Sequence, residues 1–338
     1  ERSSLQEVPE KRAVYYKGLK MPFEFGLLLH TRHLIRDEGP TNFAEIWEQA
    51  ECAEEAGYDH VWLGDSVTVL NKARGDCLTT MAALAAKTSR VRIGTVPFLP
   101  ALRNPVLLAH ALATLDVISD GRIILGVSVA PLHPYIERQF IACGVPFHEK
   151  AGRLSESIKV MRRLWNEKTF PFEGKYYQFK EVGILPKPIQ QPTIPIWIAA
   201  DDHDNAFKRA ARLGDGWFTT APTLEEFVTG RQKIDAYAQE YGRSGRIPVS
   251  ALYATFNLNA NGDAAREEGW TWMEDFFREP REKLGHHFTI FGTPEECAQI
   301  LQSYIDAGLT AVVARLATPD LAGQMRRFIE ELRPRLSS

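Results

Sequence analysis

The chain carries no catalytic signature that stands on its own. It has no HExxH, no P-loop, no GxSxG and no GxGxxG. Zincin, nucleotide kinase, α/β-hydrolase and dinucleotide-domain chemistry therefore lose their usual sequence support. Cysteine is scarce: Cys52, Cys77, Cys143 and Cys297 are widely spaced without a CxxC pair, which points to buried free thiols rather than a disulfide framework. No apolar run is long enough to span a bilayer, and the start lacks a basic n-region followed by an apolar h-region. Neither sign of charge dominates, and the net charge of -3 gives no electrostatic case for nucleic acid or an anionic membrane. The expectation is a soluble, cytoplasmic protein that works on a small molecule.

What is present is a repeating strand–helix pattern. At 338 residues with 44% apolar content, the chain has room for one large barrel or two ordinary domains, and no Ser/Gly-rich linker or charge run divides it. One domain over residues 21–338 is expected, after a charged, patternless extension over 1–20. The pattern is plainest from Val91 to Pro131. Val91–Val96 is a short β-branched run closed by Pro97, which suits a buried parallel strand. Pro105 opens a helix in which Leu107, Leu108, Ala111, Leu112 and Leu115 recur at helical spacing. Asp120-Gly121 stops it, and Arg122–Val129 follows as a second strand. A crossover of this length implies parallel strands with a right-handed connection.

The same unit recurs along the chain. Phe23–Leu29 is strand one, Asn42 caps a helix over Phe43–Ala56, and Tyr58–Leu63 is strand two. Helices are expected over about 76–88, 136–142 and 151–165, then a hairpin Phe172–Phe179 inside an insertion over about 170–195. Strands follow at Ile196–Ala200, Gly216–Thr219, Ile247–Leu258 and Ala311–Leu316, with a helical excursion over about 263–285. Eight strand–helix units give a (β/α)8 TIM barrel with insertions at its C-terminal face, where such barrels carry their sites. Insertions there commonly act as lids.

The stretch RIGTVPFLPALRNPVLLAHALATLDVISDGRIILGV resembles the signature of the bacterial luciferase-like superfamily of flavin- and deazaflavin-dependent oxidoreductases. GVPFHEKAGRLSESIKVMRRLW, LPKPIQQPTIPIWIAA and AARLGDGWFTT resemble its later motifs in the same order. The likeness runs from about Phe23 to Trp217, with a weaker tail to about Leu332. It implies a flavin-type ring against the ends of strands three and four, on a bulge at Thr95, Val96 and Pro97. Here Pro97 either forms the cis bond that family members often have or simply ends the strand in trans. Val129 and Ala130 match the small pair beneath the ring, and Ser66 follows the strand-two aspartate.

The resemblance also implies a phosphate held by backbone N–H groups after strand five, where this chain has Ala199 and Ala200 in place of a Gly-Gly pair. The following Asp201-Asp202-His203-Asp204 run is expected to repel a phosphate, and reads either as metal ligands or as helix N-cap residues. His148 and Gly152-Arg153 match the pattern of deazaflavin-dependent members, as does GDGW at Gly214–Trp217. The expected cofactor is the deazaflavin coenzyme F420, with FMN as the alternative, and no metal is expected. Family likeness implies a homodimer acting on a small organic substrate.

His30, Asp65 and His133, each at a strand end, are the candidates for polarising substrate or moving a proton. Each also reads as an ordinary hydrogen-bonded residue. The implied reaction is hydride transfer from a reduced deazaflavin; an FMN-dependent monooxygenase and a non-catalytic flavin-binding barrel remain as alternatives. Apolar residues expected around the mouth, Phe98, Leu99, Phe172 and Tyr176, favour a substrate of some hydrophobicity.

Overall fold

A computed structural model describes residues 22–31, 42–67, 74–221, 223–285 and 287–337. The expected extension over 1–20 lies outside the described residues. The strands are β1 (Glu24–Leu28), β2 (His60–Leu63), β3 (Arg92–Thr95), β4 (Ile123–Val127), β5 (Phe170–Glu173), β6 (Gln178–Val182), β7 (Ile196–Ala199), β8 (Gly216–Thr219), β9 (Val249–Leu258), β10 (Thr289–Gly292) and β11 (Ala311–Leu316). The helices are α1 (Ala44–Ala56), α2 (Cys77–Lys87), α3 (Pro105–Ile118), α4 (Pro134–Ala142), α5 (Lys150–Asn166), α6 (Asp204–Leu213), α7 (Leu224–Glu240), α8 (Gly262–Phe277), α9 (Pro294–Asp306) and α10 (Leu321–Arg327).

Eight parallel strands close on themselves in the order β1-β2-β3-β4-β7-β8-β9-β11, with β11 returning to β1. This is the expected TIM barrel. One feature was not legible in the sequence. β10 adds a ninth parallel strand, Thr289–Gly292 pairing with Thr255–Leu258 beyond the part of β9 that pairs with β8, while Thr255 and Phe256 stay paired with β11. The helix α8 lies within the expected helical excursion and packs on β9 and β10.

The barrel is filled by aromatic rings rather than by rings of valine and leucine alone. Trp62 and Trp197 lie inside it, fully buried, with centroids 5.1 Å apart. Gly26, Gly94 and Gly216 make the room: a Cβ on any of them would run into His60, Trp62 or Trp197. At the foot of the barrel Glu24 pairs with Arg92, and His60 Nε2 lies 3.8 Å from Glu24 Oε2.

His60 accepts a hydrogen bond on Nδ1 from Trp62 Nε1 at 2.5 Å. Burial, and then the charge of Arg92, push its pKa well below the usual value of 6.5. In the unfolded chain the imidazole takes up its proton near that usual value, while the folded chain resists. The resulting stability is therefore complete above pH about 6.5 and is lost progressively below it. Denaturant midpoints are expected to fall between about pH 7.5 and 5.5 in wild type and to fall less in His60→Gln. Parallel slopes in the two proteins would contradict this account.

β5 and β6 pair as foreseen, with Phe172 opposite Phe179, and the hairpin is held along α5. Glu156 of α5 accepts from the backbone N–H groups of Lys175, Tyr176 and Tyr177, and Phe172 packs against the main core.

Candidate functional site at the barrel mouth

The end of β3 turns sharply. Val96 N–H donates to Leu63 O at 2.7 Å, Asp65 N–H to Pro97 O at 3.3 Å and Phe98 N–H to Gly126 O at 2.8 Å. The ladder therefore continues around an irregular Thr95–Pro97 segment, and the Val96–Pro97 bond is cis, which removes the trans alternative. Thr95 Oγ1 donates to Gly126 O at 2.9 Å. A Cβ on Gly126 would overlap the Thr95 carbonyl oxygen, so the close approach of the two strand ends depends on glycine. Thr95 is fully buried and Val96 nearly so, while Val129 and Ser66 are half-buried.

Ala130 adopts φ +72°, the left-handed region in which a side chain is strained. It is pinned there by Ser128 Oγ, which accepts from its N–H at 2.9 Å, and by Lys150 Nζ, which donates to its carbonyl at 2.9 Å. Burial lowers the Lys150 pKa; this contact was not foreseen, because the two residues are joined only by the folding of α5 onto the loop. Ala130→Gly is expected to stabilise the protein by about 1 kcal/mol. A lower denaturation midpoint in the variant would show that the bend is not strained.

Asp65 sits elsewhere in chemical terms than the sequence implied. Its side chain is 1% exposed and both oxygens are taken by the Arg103 guanidinium, at 2.7 and 2.9 Å. Oδ2 also accepts from Leu99 N–H at 3.2 Å. Burial tends to lower the Arg103 pKa, but the hydrogen bonds and charge of Asp65 outweigh it and leave it raised. Asp65 thus ties the loop after β3 to the end of β2, with its carboxylate engaged by the Arg103 guanidinium. Phe98 and Leu99 are buried in this loop instead of being presented to a substrate.

His30 and His133 occupy different surroundings. His30 is 6% exposed, its backbone held on both sides by Gln49, and its ring lies 5.1 Å from that of Trp272 on α8. His133 is exposed and forms the N-cap of α4, its Nδ1 accepting from Tyr135 N–H at 3.3 Å. The register Leu28↔Trp62 places His30 and Asp65 at the same end of the barrel. A cleft of about 620 Å³ opens beside His30, with Trp272 and Phe276 of α8 on one side and Glu45 and Gln49 of α1 on another. Further into the mouth, Arg315 of β11 bonds to the Tyr253 hydroxyl and, at 3.4 Å, to Thr255 Oγ1. Alternation along β9 and β11 would have flagged these three as inward-facing; their polarity was the available signal.

The expected phosphate loop is corrected in two places. Ala200 donates its N–H to Phe218 O at 3.2 Å and accepts from Trp217 Nε1 on its carbonyl at 2.7 Å, so it has no amide to offer. Asp201 turns towards β8, where Oδ1 accepts from Thr219 Oγ1 and Thr220 N–H, both at 2.7 Å. Asp204 pairs with Lys233 at 2.8 Å, and the N-cap of α6 is His203, which makes no side-chain cap bond. The acidic run is therefore neither a set of caps nor a cluster converging on one point. Asp202 is exposed beside His203. Trp217, buried against Phe227, is a packing residue.

The family model for luciferase-like monooxygenases matches residues 23–279. The chain belongs to that family. It is 29% identical over 312 residues to an F420-dependent glucose-6-phosphate dehydrogenase of Kineococcus radiotolerans, covering 84% of this chain and 90% of the relative. A protein of the same name from Amycolatopsis mediterranei is 30% identical over 324 residues, covering 86% and 94%. Among solved structures, a monooxygenase from Streptomyces bottropensis superposes with a TM-score of 0.79 at 26% identity, over 92% of this chain and 99% of that one. The match to the family spans the bulge, Ala130 and the α5–β7 segment, and so includes the whole of the mouth described above except the β11 contribution. Among the described residues no helix is long and apolar enough to cross a membrane.

Proposed function

We propose that this luciferase-like oxidoreductase uses the deazaflavin coenzyme F420 and transfers hydride to or from a small organic substrate. The observation that carries the reading is the likeness, over more than four fifths of the chain, to relatives named as F420-dependent dehydrogenases. The local geometry fits a planar ring: an irregular strand end at Thr95–Pro97, a bend of small residues at Val129 and Ala130, and Gly126 where a side chain would intrude. When bound, the cofactor supplies a hydride donor or acceptor at a ring carbon. We assign its ring shelf to Ser66, Thr95, Val96, Pro97, Val129 and Ala130, and the phosphate end to Ala199 and the start of α6.

The protein's own tasks follow from its residues. Asp65 and Arg103 hold the shelf in place. Trp272 and Phe276 shield the mouth from water at the His30 side, and the adjoining cleft is of a size that suits a small organic molecule. His30, buried against these rings, is the imidazole we assign to hold a proton there. His133 reaches a substrate only from the outer loop, through the Nε2 left by its capping bond. The glucose 6-phosphate named for those relatives is not assigned to this chain.

Oxygen demand separates this reading from its competitor, an FMN-dependent monooxygenase, which the likeness to the Streptomyces bottropensis structure keeps in view. Reduced F420 should be oxidised by a screened electrophilic substrate under strict anaerobiosis. A requirement for oxygen would move the assignment to the monooxygenase.

A homodimer built on α3 belongs to the same proposal. Apart from the fully buried Asp116, α3 has no charged residue, yet Leu107 is 71% and Ile118 53% exposed. We take the exposed apolar residues of α3 as the association surface. Light scattering is expected to give twice the chain mass for wild type and a monomer for Leu107→Glu/Val117→Glu; a monomeric wild type would contradict it.

A further inference from the structure

Two arginines packed into this chain are fully matched. The Arg122 guanidinium makes five hydrogen bonds, to Ser119, Thr88, Val91 and Ala85, and Arg103 is matched by Asp65. Arg74 differs from these two. Its Nε is buried without a partner, and no hydrogen bond or ion pair joins it to another side chain among the described residues. Its guanidinium lies directly against Gly64, where a Cβ would overlap Nη1. Gly64 continues the alternation of His60 and Trp62, whose rings fill the barrel, so the guanidinium sits over the end of β2. Burial lowers its pKa, with Asp65 opposing that shift through space, but a guanidinium stays cationic at any working pH.

A second open donor borders the same turn. Gln139 of α4 is fully buried. Its Oε1 accepts from Val67 N–H at 2.8 Å, which fixes the orientation of the amide, and Nε2 is left without a partner. Thus a guanidinium lies against Gly64 at one end of the turn 64–67 and an amide N–H2 lies beside Val67 at the other. Buried donors in folded proteins are almost always satisfied, and a planar fork matches the oxygens of a carboxylate or phosphate. The neighbouring Asp65 is bonded to Arg103 and to Leu99 N–H and makes no hydrogen bond to Arg74.

We infer that Arg74, aided by Gln139, is the binding site for an anionic group, a carboxylate or phosphate, carried by the substrate. The site adjoins the ring shelf, since Leu63 pairs with Thr95. This inference rests on the oxidoreductase reading for the word substrate, but not for the anion site itself.

The test uses inorganic phosphate and F420 as separate probes on the full chain. Calorimetric titration with phosphate at low ionic strength should give saturable binding that weakens at least about tenfold in Arg74→Gln and in Gly64→Ala. Gly64→Ala evicts the guanidinium without removing it, so it serves if Arg74→Gln folds poorly. Arg138→Gln, an exposed arginine on α4, should leave phosphate binding unchanged. F420 affinity should be the same in wild type, Arg74→Gln and Gly64→Ala. Unchanged phosphate affinity in both variants overturns the site. An equal loss of F420 affinity overturns the assignment to substrate, because the anion would then be the cofactor's own. Failure of wild type to bind F420, with the phosphate pattern intact, removes the cofactor reading and leaves the anion site standing.

Discussion

Asp65→Ala is expected to destabilise the protein by about 3 kcal/mol, because it leaves the Arg103 guanidinium in a largely buried position without its counter-charge. The same change removes the acceptor for Leu99 N–H, so the loop from Pro97 to Arg103 loses its anchor on β2. Affinity for a ring stacked on that loop should fall with stability. Adding Arg103→Met should recover part of the loss, since removing both members of a buried pair costs less than removing one. Denaturant titration of the two variants checks the stability claim, and cofactor titration checks the coupling. An Asp65→Ala protein with native stability, native cofactor affinity and a collapsed rate would return Asp65 to the proton-transfer role that its strand-end position first implied.

Gly126→Ala should be nearly as damaging, for a different reason. The new methyl would meet the Thr95 carbonyl oxygen, a backbone atom that cannot swing aside, and the Gly126 carbonyl already accepts from Thr95 Oγ1 and from Phe98 N–H. The two strand ends would have to separate, at a cost of about 3 kcal/mol, the upper range for overpacking. Because the bulge is the proposed ring shelf, affinity should fall at least about tenfold. Near-native stability and affinity would show that the shelf tolerates the shift, and that the ring lies elsewhere.

The barrel was legible because each strand is a short apolar run between turn residues, and local periodicity carries that information. The strand ends were legible for the same reason: Thr95, Val129 and Ala199 fall where the runs stop. Side-chain partners were not. Asp65 and Arg103 are 38 residues apart, and nothing local tells a carboxylate at a strand end whether it will meet a substrate or a guanidinium. Ala200 was misread on similar grounds, since whether its N–H is free depends on how far β8 continues alongside it. Trp272 and Phe276 fall in the expected helical excursion, but their place over His30 follows from α8 packing on β9 and β10. β10 itself escaped notice: Thr289–Gly292 spans only four residues and runs directly into the capping box at Thr293.

The position of Ala130 was predicted with its meaning incomplete. The resemblance to the family implies only a small residue beneath the ring. The φ of +72° shows backbone strain as well. Likewise Asp201 and Asp202 were read as an equal pair of repelling charges, yet one is an internal latch to β8 and only the other faces outward.

The central claim, a deazaflavin held at the ends of β3 and β4, is tested most directly by fluorescence titration of purified protein with F420 and, separately, with FMN. The account predicts saturable quenching by F420, weaker or absent binding of FMN, and loss of the F420 signal in Gly126→Ala. Tighter binding of FMN, or F420 affinity untouched by Gly126→Ala, would contradict it.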